Sequence, residues 1–180
     1  MINIYVGKPG MGKTYSLVRL AYKLINEGRN IYSNFHIDFS SMPLKEGHGE
    51  VFYWENINDI IPIKSGEIII DECQIYMNSR NWKNLPPSVQ YKLQQHRKQG
   101  LNIHGAVQNV KRIDSVAREL VNSIFECKRK LGKLFVVKEF DIEDIDKEKR
   151  SSYSTQLYWL DKKLASCYDT LQEIRQNISY

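Results

Sequence analysis

The sequence has no long apolar segment, no cysteine framework and no cluster of metal-ligating side chains. No hydrophobic run approaches the roughly 20 residues that a transmembrane helix requires. The first residues also lack the basic flank and cleavage site of a secretory signal. The three cysteines, Cys73, Cys127 and Cys167, are scattered and odd in number, and they do not combine with the four histidines at zinc-site spacing. These absences predict a cytoplasmic protein without structural disulfides or zinc.

The composition is that of an ordinary soluble domain with a basic charge balance. The 180 residues are enough to bury one core, and a hydrophobic content of 42% with a charged content of 26% is typical of globular proteins. The net charge of +5 permits a polyanionic partner without requiring one.

Apolar runs alternate with helical patterns along the first two thirds of the chain, which predicts an α/β fold with an open, largely parallel sheet. The predicted strands are residues 2–6, 30–35, 51–54, 67–71 and 101–107. The predicted helices are residues 13–27, 57–61, 88–98 and 114–121, with an irregular polar segment at 78–87. Residues 123–130 and 133–140 flank Leu131-Gly132 and predict an antiparallel hairpin.

The C-terminal part reads differently from the rest. Residues 141–150 are a mixed-charge stretch that predicts a solvated connector. After it, apolar residues recur at alternating spacings of three and four, which predicts an amphipathic helix: Leu157, Leu160, Leu164, Cys167, Leu171, Ile174 and Ile178. We therefore divide the chain into a main α/β domain at 1–140 and, at 141–180, a connector and a helix that packs on that domain or contacts a partner.

The first strand leads into Gly7-Lys8-Pro9-Gly10-Met11-Gly12-Lys13-Thr14, a complete G-x-x-x-x-G-K-[ST] P-loop, with Tyr15 directly after it. Glycines let the backbone curl around phosphate oxygens, and the helix that begins at Lys13 adds the favourable end of its dipole. Lys13 is predicted to reach the β- and γ-phosphates of ATP, and the Thr14 hydroxyl to bind Mg²⁺.

A second acidic motif, Asp71-Glu72, ends the strand Ile68-Ile69-Ile70. A carboxylate at the end of a buried strand is costly unless a cation compensates it, which predicts that Asp71 binds Mg²⁺. Glu72 is then the expected general base that activates the attacking water.

A basic segment with Arg97 and Lys98 stops at Gly100, and the next predicted strand ends at Gln108. In P-loop ATPases whose catalytic glutamate follows the strand aspartate, this strand inserts between the P-loop strand and the acidic strand. The amide of Gln108 is therefore predicted to lie near the γ-phosphate and to sense hydrolysis.

These motifs, in this order, resemble the Zot-like family, the zonula-occludens-toxin-type assembly ATPases of filamentous phages, within the FtsK/HerA group of P-loop ATPases. The resemblance is carried by the P-loop, Ile70-Asp71-Glu72-Cys73-Gln74, Arg80, His96-Arg97-Lys98-Gln99-Gly100-Leu101-Asn102-Ile103, Gln108, Ile113-Asp114, Arg118, Tyr153-Ser154 and Tyr168-Asp169-Thr170. It implies a RecA-like fold, a homo-oligomer such as a ring, and ATP-driven handling of phage DNA in the host cytoplasm. It also implies an arginine acting in trans, for which Arg80, Arg97 and Arg118 are the candidates.

The resemblance leaves the surroundings of the motor open. Family members usually continue into a membrane-spanning helix, so this sequence is either a fragment or a relative that a capsid or membrane protein recruits. Five basic residues are candidates for non-specific DNA phosphate contacts: Lys83, Lys92, Lys98, Lys111 and Arg112. Tyr76, Trp82 and Tyr91 lie among them and either stack on bases or pack in the core.

Two other functions fit a P-loop. One is a kinase of a small molecule, against which the Asp71-Glu72 pair and the position of Gln108 argue. The other is a regulatory nucleotide-binding module with slow turnover, which controls the docking of a partner.

Overall fold

The computed structural model describes residues 1–144, 147, 150–169, 172 and 174. The strands of this part are β1 Ile2–Val6, β2 Ile31–Ser33, β3 Val51–Tyr53, β4 Gly66–Ile70, β5 Leu101–Val107, β6 Ser123–Lys130, β7 Leu134–Asp141 and β8 Ser154–Trp159. The helices are α1 Lys13–Ile25, α2 Gln74–Met77, α3 Ser79–Asn84, α4 Pro87–Gln94, α5 Ser115–Arg118 and α6 Lys162–Ala165. Short 3₁₀ helices lie at Ile57–Ile60, His96–Gln99, Val110–Arg112 and Ile142–Asp144.

The strands form one mixed sheet in the order β3-β2-β4-β5-β1-β6-β7-β8. The first six strands in this order run parallel to one another. β7 pairs antiparallel with β6, and β8 pairs antiparallel with β7. The predicted hairpin is confirmed as β6 and β7, and β5 inserts between the P-loop strand β1 and the acidic strand β4, as predicted. The carboxyl ends of β1, β4 and β5 therefore meet at one end of the sheet.

The core covers both faces of this sheet. On one face, α1 packs its buried residues Leu17, Val18, Ala21 and Ile25 against the sheet. On the other face, Trp54, Tyr76 and Trp82 lie in a second cluster with the apolar residues of β1, β4 and β5. Every residue of β4 is buried, which explains its apolar run Ile68-Ile69-Ile70.

The predicted C-terminal amphipathic helix is wrong over the residues that the structure describes. Residues Ser154–Trp159 form β8, in which Leu157 pairs with Val136 and Trp159 with Leu134. Tyr158 points to the opposite face and is buried with α1, so the local pattern has a period of two. Leu164 lies in the four-residue α6, while Thr170, Leu171 and Ile178 lie outside the described residues.

Two smaller differences concern helices. The segment predicted as irregular contains α3, whose N-terminus is capped because Asn78 Oδ1 accepts from Arg80 N at 3.0 Å and Asn81 N at 3.1 Å. The predicted helix at 88–98 is instead α4 followed by a 3₁₀ turn that ends at Gly100, whose φ is 63°. In the part of the chain that the structure covers, no helix has both the length and the apolar character needed to cross a membrane.

Candidate nucleotide site

The P-loop connects β1 to α1 and wraps over the carboxyl end of the sheet. Gly12 is the N-cap of α1 and has a φ of 88°, a conformation that only glycine adopts without strain. A Cβ at Gly12 would lie 2.2 Å from a ring carbon of Phe135 on β7. Lys13 is buried and its Nζ donates to the carbonyl oxygen of Lys8 at 3.4 Å, so the lysine folds back over its own loop.

Thr14 and Asp71 meet as the sequence predicts. Thr14 Oγ1 donates a hydrogen bond to Asp71 Oδ2 at 2.7 Å, and the second carboxylate oxygen accepts from the Glu72 amide at 2.9 Å. Burial raises the pKa of the Asp71 carboxyl, and the hydrogen bonds from Thr14 and Glu72 offset that shift only in part. Two oxygen ligands therefore lie together where a hard cation would relieve the desolvated carboxylate, so these side chains fit Mg²⁺.

Asn34 holds the backbone of Asp71 and was not identified from the sequence. Its Nδ2 donates to the Asp71 carbonyl oxygen at 3.0 Å, and its Oδ1 accepts from the Asp71 amide at 2.8 Å. The side chain is buried directly after β2, the strand next to β4. An asparagine near the carboxyl end of the predicted strand 30–35 was the available signal.

A cavity of about 370 Å³ opens beside the P-loop and brings together residues far apart in sequence. Gly10, Gly12, Lys13, Thr14, Tyr15 and Asp71 line one side of it. The other side is formed by Phe35, Arg129, Phe135, Leu160, Ala165, Tyr168, Asp169, Gln172 and Ile174. The sequence did not predict that β7 and the C-terminal segment take part in this site.

The C-terminal segment is held against the cavity by backbone contacts. Tyr168 forms an isolated antiparallel bridge with Ile37, and Asp38 N donates to the Cys167 carbonyl at 2.8 Å. The amide of His36 also donates to Gln172 Oε1 at 2.9 Å. An apolar and aromatic wall therefore faces the anion-binding P-loop across the cavity, an arrangement that suits a nucleotide, with its base on the wall and its phosphates on the loop.

Glu72, the predicted base, follows Asp71 but is not among the residues that line this cavity. Its φ of 50° is rare for a residue other than glycine, a kind of strain that is concentrated at functional sites. Its carboxylate accepts a hydrogen bond from Gln74 Nε2. The geometry thus holds the candidate base beside the site through a neighbouring amide.

Gln108 follows β5 and lines a second cavity of about 420 Å³ on the other flank of the P-loop. Gly7, Lys8 and Met11 line the same cavity, together with Glu126 and Arg150 among others. Gln108 is therefore adjacent to the P-loop backbone, but it is separate from the cavity that contains Thr14 and Asp71. Its role as a sensor stays a prediction.

None of the three predicted arginines lines the cavity beside Lys13. Arg80 is exposed on α3, and Arg97 is exposed just before β5, near Met1 at the opposite end of the parallel strands. Arg118 ends α5 beside Ile142, where its Nε is buried without a hydrogen-bond partner among the described residues. Among the residues that the structure describes, the arginine that lines the cavity is Arg129, which sequence reasoning missed.

The candidate DNA contacts divide into two groups. Lys83, Lys98, Lys111 and Arg112 are exposed, and Tyr91 is 62% exposed. Lys92 is buried and donates to the carbonyl oxygen of Ile63, so its placement on a DNA-facing rim is wrong. Tyr76 and Trp82 are core residues, as the packing alternative predicted.

Comparisons with solved structures support this fold. The chain superposes with a TM-score of 0.60 on the N-terminal domain of zonular occludens toxin from Neisseria meningitidis, at 22% identity, covering 93% of this chain and 98% of that one. It superposes with a TM-score of 0.54 on the genome packaging NTPase B204 from Sulfolobus turreted icosahedral virus 2, at 13% identity, covering 87% and 96% of the two chains. The architecture is that of a RecA-like P-loop NTPase.

Sequence comparisons agree with the structural ones. The "Gene 1 protein" of Enterobacteria phage I2-2 is 26% identical over an alignment of 154 residues. The alignment covers 71% of this chain and 40% of the relative. The match therefore spans less than half the length of that relative. The family model for zonular occludens toxin (Zot) matches residues 1–173. The chain belongs to the Zot family.

Proposed function

We propose that the chain is an ATP-hydrolysing oligomeric motor that moves phage DNA during virion assembly, extrusion or packaging. The observation that carries this proposal is the Thr14–Asp71 hydrogen bond of 2.7 Å in a cavity that Lys13 also lines. Membership of the Zot family and the likeness to a genome packaging NTPase support the phage setting.

The chain's own residues account for binding and positioning. The P-loop amides and Lys13 bind the phosphates. Thr14 and Asp71 would hold Mg²⁺, and Asn34 fixes the strand end that carries Asp71. Bound Mg²⁺ would neutralise charge that develops on the phosphates. Glu72 gives up its hydrogen bond with Gln74 and then accepts one from the attacking water, which it orients. Gln108 contacts the phosphate or the water from the flank of the loop.

Steady-state ATP hydrolysis with and without DNA tests this function. Lys13→Ala is expected to abolish nucleotide binding, whereas Glu72→Gln retains binding and stops turnover. Lys64→Ala, at an exposed residue before β4, is the matched control for Lys13. Hydrolysis by the Glu72→Gln protein at the wild-type rate would contradict the assignment of the base.

We further propose that DNA binds through phosphate contacts to the exposed cations. Replacing Lys98 and Lys111 with alanine is expected to weaken binding and to flatten the slope of log affinity against log salt by about one unit per lost contact. The affinity should fall equally for unrelated sequences, because phosphate contacts carry no sequence information. An unchanged salt slope would place the DNA elsewhere.

The arginine that acts in trans can be identified by mixing variants. Each of Arg80→Ala, Arg97→Ala and Arg118→Ala is combined with Lys13→Ala, which supplies an intact arginine but no active P-loop. Only an arginine that serves the neighbour's site regains activity in the mixture. An arginine variant with wild-type activity alone is removed from the candidates.

A regulatory module with slow turnover is favoured by one contact, the hydrogen bond from Gln74 to Glu72. If that contact holds the base away from the water, Gln74→Ala should raise the turnover rate without changing nucleotide affinity. A lower rate in Gln74→Ala would instead make the amide part of the catalytic arrangement.

We also propose that the protein acts in the host cytoplasm, where a capsid or membrane protein recruits it.

A further inference from the structure

The edge of the sheet that carries β8 is strongly basic. Residues 127–138 include the end of β6, the turn and most of β7, and they contain five exposed cations and no carboxylate: Lys128, Arg129, Lys130, Lys133 and Lys138. Glu126 and Glu139 flank this segment, and Glu126 pairs with Lys128 at 3.1 Å, so the surface is basic on balance. Leu157 and Trp159 project from β8 beside them and are 65% and 63% exposed. We call this surface the basic edge.

The edge that carries β3 has the opposite charge. Residues 46–59 contain four exposed carboxylates and no lysine or arginine: Glu46, Glu50, Glu55 and Asp59. Phe52 and Tyr53, on β3 itself, are 38% and 44% exposed. We call this surface the acidic edge.

The order of the strands places these two surfaces at opposite ends of the sheet. With neighbouring strands about 4.8 Å apart, the edges of eight strands are separated by roughly 34 Å. One neighbour therefore cannot cover both edges of the same chain. A two-fold pairing of either edge with itself would bring like charges together.

We propose that the basic edge of one copy docks on the acidic edge of the next copy, head to tail. Charge complementarity fixes the order of the two surfaces, and the exposed apolar side chains on both edges supply the buried centre that such an interface needs. Heterologous contacts of this kind generate rings or open filaments. The inference rests on the oligomeric motor proposed above, and assigns its subunit contact to particular residues.

A nucleic acid is the competing occupant of the basic edge. Leu131 at the hairpin tip is 86% exposed, and Leu157 is exposed beside Trp159. Aliphatic side chains gain little from stacking on bases but do gain from contact with protein. A nucleic acid on the basic edge would also leave the exposed faces of Phe52 and Tyr53, which stack on Tyr32 and His36 within the chain, uncovered, whereas a second copy accounts for both edges.

The basic edge is continuous with the nucleotide cavity. Arg129 belongs to the basic hairpin, donates from Nε to the Gly132 carbonyl at 2.6 Å, and lines the cavity with Lys13 and Thr14. A neighbour docked on this hairpin therefore covers the rim of the cavity. We expect nucleotide to strengthen association, because both ligands order the same hairpin.

The test is a charge exchange on the full chain, followed by sedimentation and native mass spectrometry at low and high salt. The basic-edge variant is Lys130→Glu with Lys138→Glu, and the acidic-edge variant is Glu46→Lys with Glu50→Lys. Each alone should associate at least about tenfold more weakly than the wild type. Mixed together, they should regain association, since the glutamates introduced on the basic edge of one variant then face the lysines introduced on the acidic edge of the other.

The matched control is Lys23→Glu with Lys64→Glu, which changes the net charge as much as the basic-edge variant does but lies on α1 and before β4. It should associate like the wild type. If the acidic-edge variant also associates like the wild type, the proposal is overturned. Loss of DNA binding in the basic-edge variant, with unchanged association, would likewise overturn it and assign that edge to nucleic acid.

Hydrolysis measured on the same samples separates the two proposals. If DNA stimulates hydrolysis in an assembled wild type and both edge variants assemble normally, the head-to-tail contact between the edges is rejected and the proposed motor function is retained. A wild-type chain that stays monomeric with nucleotide and DNA would reject both.

Discussion

Two buried carboxylates at opposite ends of the same strand are treated in opposite ways. Glu67, near the start of β4, is 1% exposed and is surrounded by partners: Arg29 Nη2 at 2.5 Å, His104 Nε2 at 2.8 Å and Asn102 Nδ2 at 3.0 Å. Burial opposes ionisation of Glu67, but the hydrogen bonds from His104 and Asn102 and the charges of His104 and Arg29 hold its pKa below the ordinary value.

Within the described part of the chain, the donors at hydrogen-bond distance from the carboxylate of Asp71, just beyond the other end of β4, are both neutral, the Thr14 hydroxyl and the Glu72 amide. Burial raises the pKa of this carboxyl. The amino end of the sheet therefore neutralises its own buried charge, whereas the carboxyl end leaves one to be neutralised by a ligand. We propose that the difference separates a structural carboxylate, Glu67, from a functional one, Asp71.

Replacing each of the two carboxylates by its amide tests the difference between them, and we expect the largest effect on the rate of ATP hydrolysis, in Asp71→Asn. Asp71→Asn removes a metal ligand, so we expect Mg²⁺-dependent hydrolysis to fall by about 10²-fold or more. Its free energy of unfolding should be unchanged or raised by roughly 1 kcal/mol, because a desolvated charge is lost. A protein that is unfolded at 25 °C by circular dichroism would refute the assignment of Asp71 to function.

Glu67→Gln should show the reverse. It leaves Arg29 and His104 without their anion, and we expect a loss of about 2–3 kcal/mol in the free energy of unfolding. This is below the effect for a fully buried pair because the Arg29 side chain is 39% exposed. Urea denaturation measures the loss, with Glu50→Gln, an exposed carboxylate, as the control. At urea concentrations below its unfolding midpoint, Glu67→Gln should hydrolyse ATP within about threefold of the wild-type rate. Loss of hydrolysis in a variant that is still folded would contradict the assignment of Glu67 to structure and Asp71 to function.

The contrast between the two ends explains what the sequence could and could not predict. Gly7 to Thr14 and Asp71 were predictable because local motifs fix them. The order of β4, β5 and β1 followed from the arrangement known for P-loop ATPases whose catalytic glutamate follows the strand aspartate. Asn34 and Arg129 enter the site through strand neighbours distant in sequence. The strand β8 was misread as a helix because a short apolar pattern is compatible with either period, and pairing with β7 decides between them.

The pH dependence of stability should sharpen the same comparison. The folded pKa of Glu67 is lowered, so its stabilisation is complete above its ordinary pKa and disappears as the pH falls through the folded value. The folded pKa of Asp71 is raised, so its destabilisation is complete above the folded value and disappears below the ordinary one. Lowering the pH from about 7 to about 3 should therefore bring both amide variants towards the wild type, from opposite directions.

Denaturation of the two variants and the wild type across that range checks the signs. If the deficit of Glu67→Gln grew as the pH fell, the contacts with His104 and Asn102 would not be holding a carboxylate. If Asp71→Asn were less stable than the wild type at neutral pH and equal to it in acid, the carboxylate of Asp71 would be stabilised without a metal.

The smallest effect concerns how the carboxyl end is supported from behind. The hydroxyl of Tyr158 on β8 lies 2.5 Å from Ser16 Oγ, which itself donates to the Gly12 carbonyl at 2.7 Å, so β8 is connected to the P-loop through one serine. Tyr158→Phe keeps the ring that stacks on Phe135 and removes only the hydroxyl, so we expect a loss of about 1 kcal/mol in unfolding free energy. Tyr153→Phe, at an exposed tyrosine, is the matched control.

Because Gly12 precedes the phosphate-binding lysine, the affinity for nucleotide should also fall, by about two- to fivefold, in Tyr158→Phe only. Equal affinities in the two variants would mean that β8 stabilises the sheet without positioning the loop.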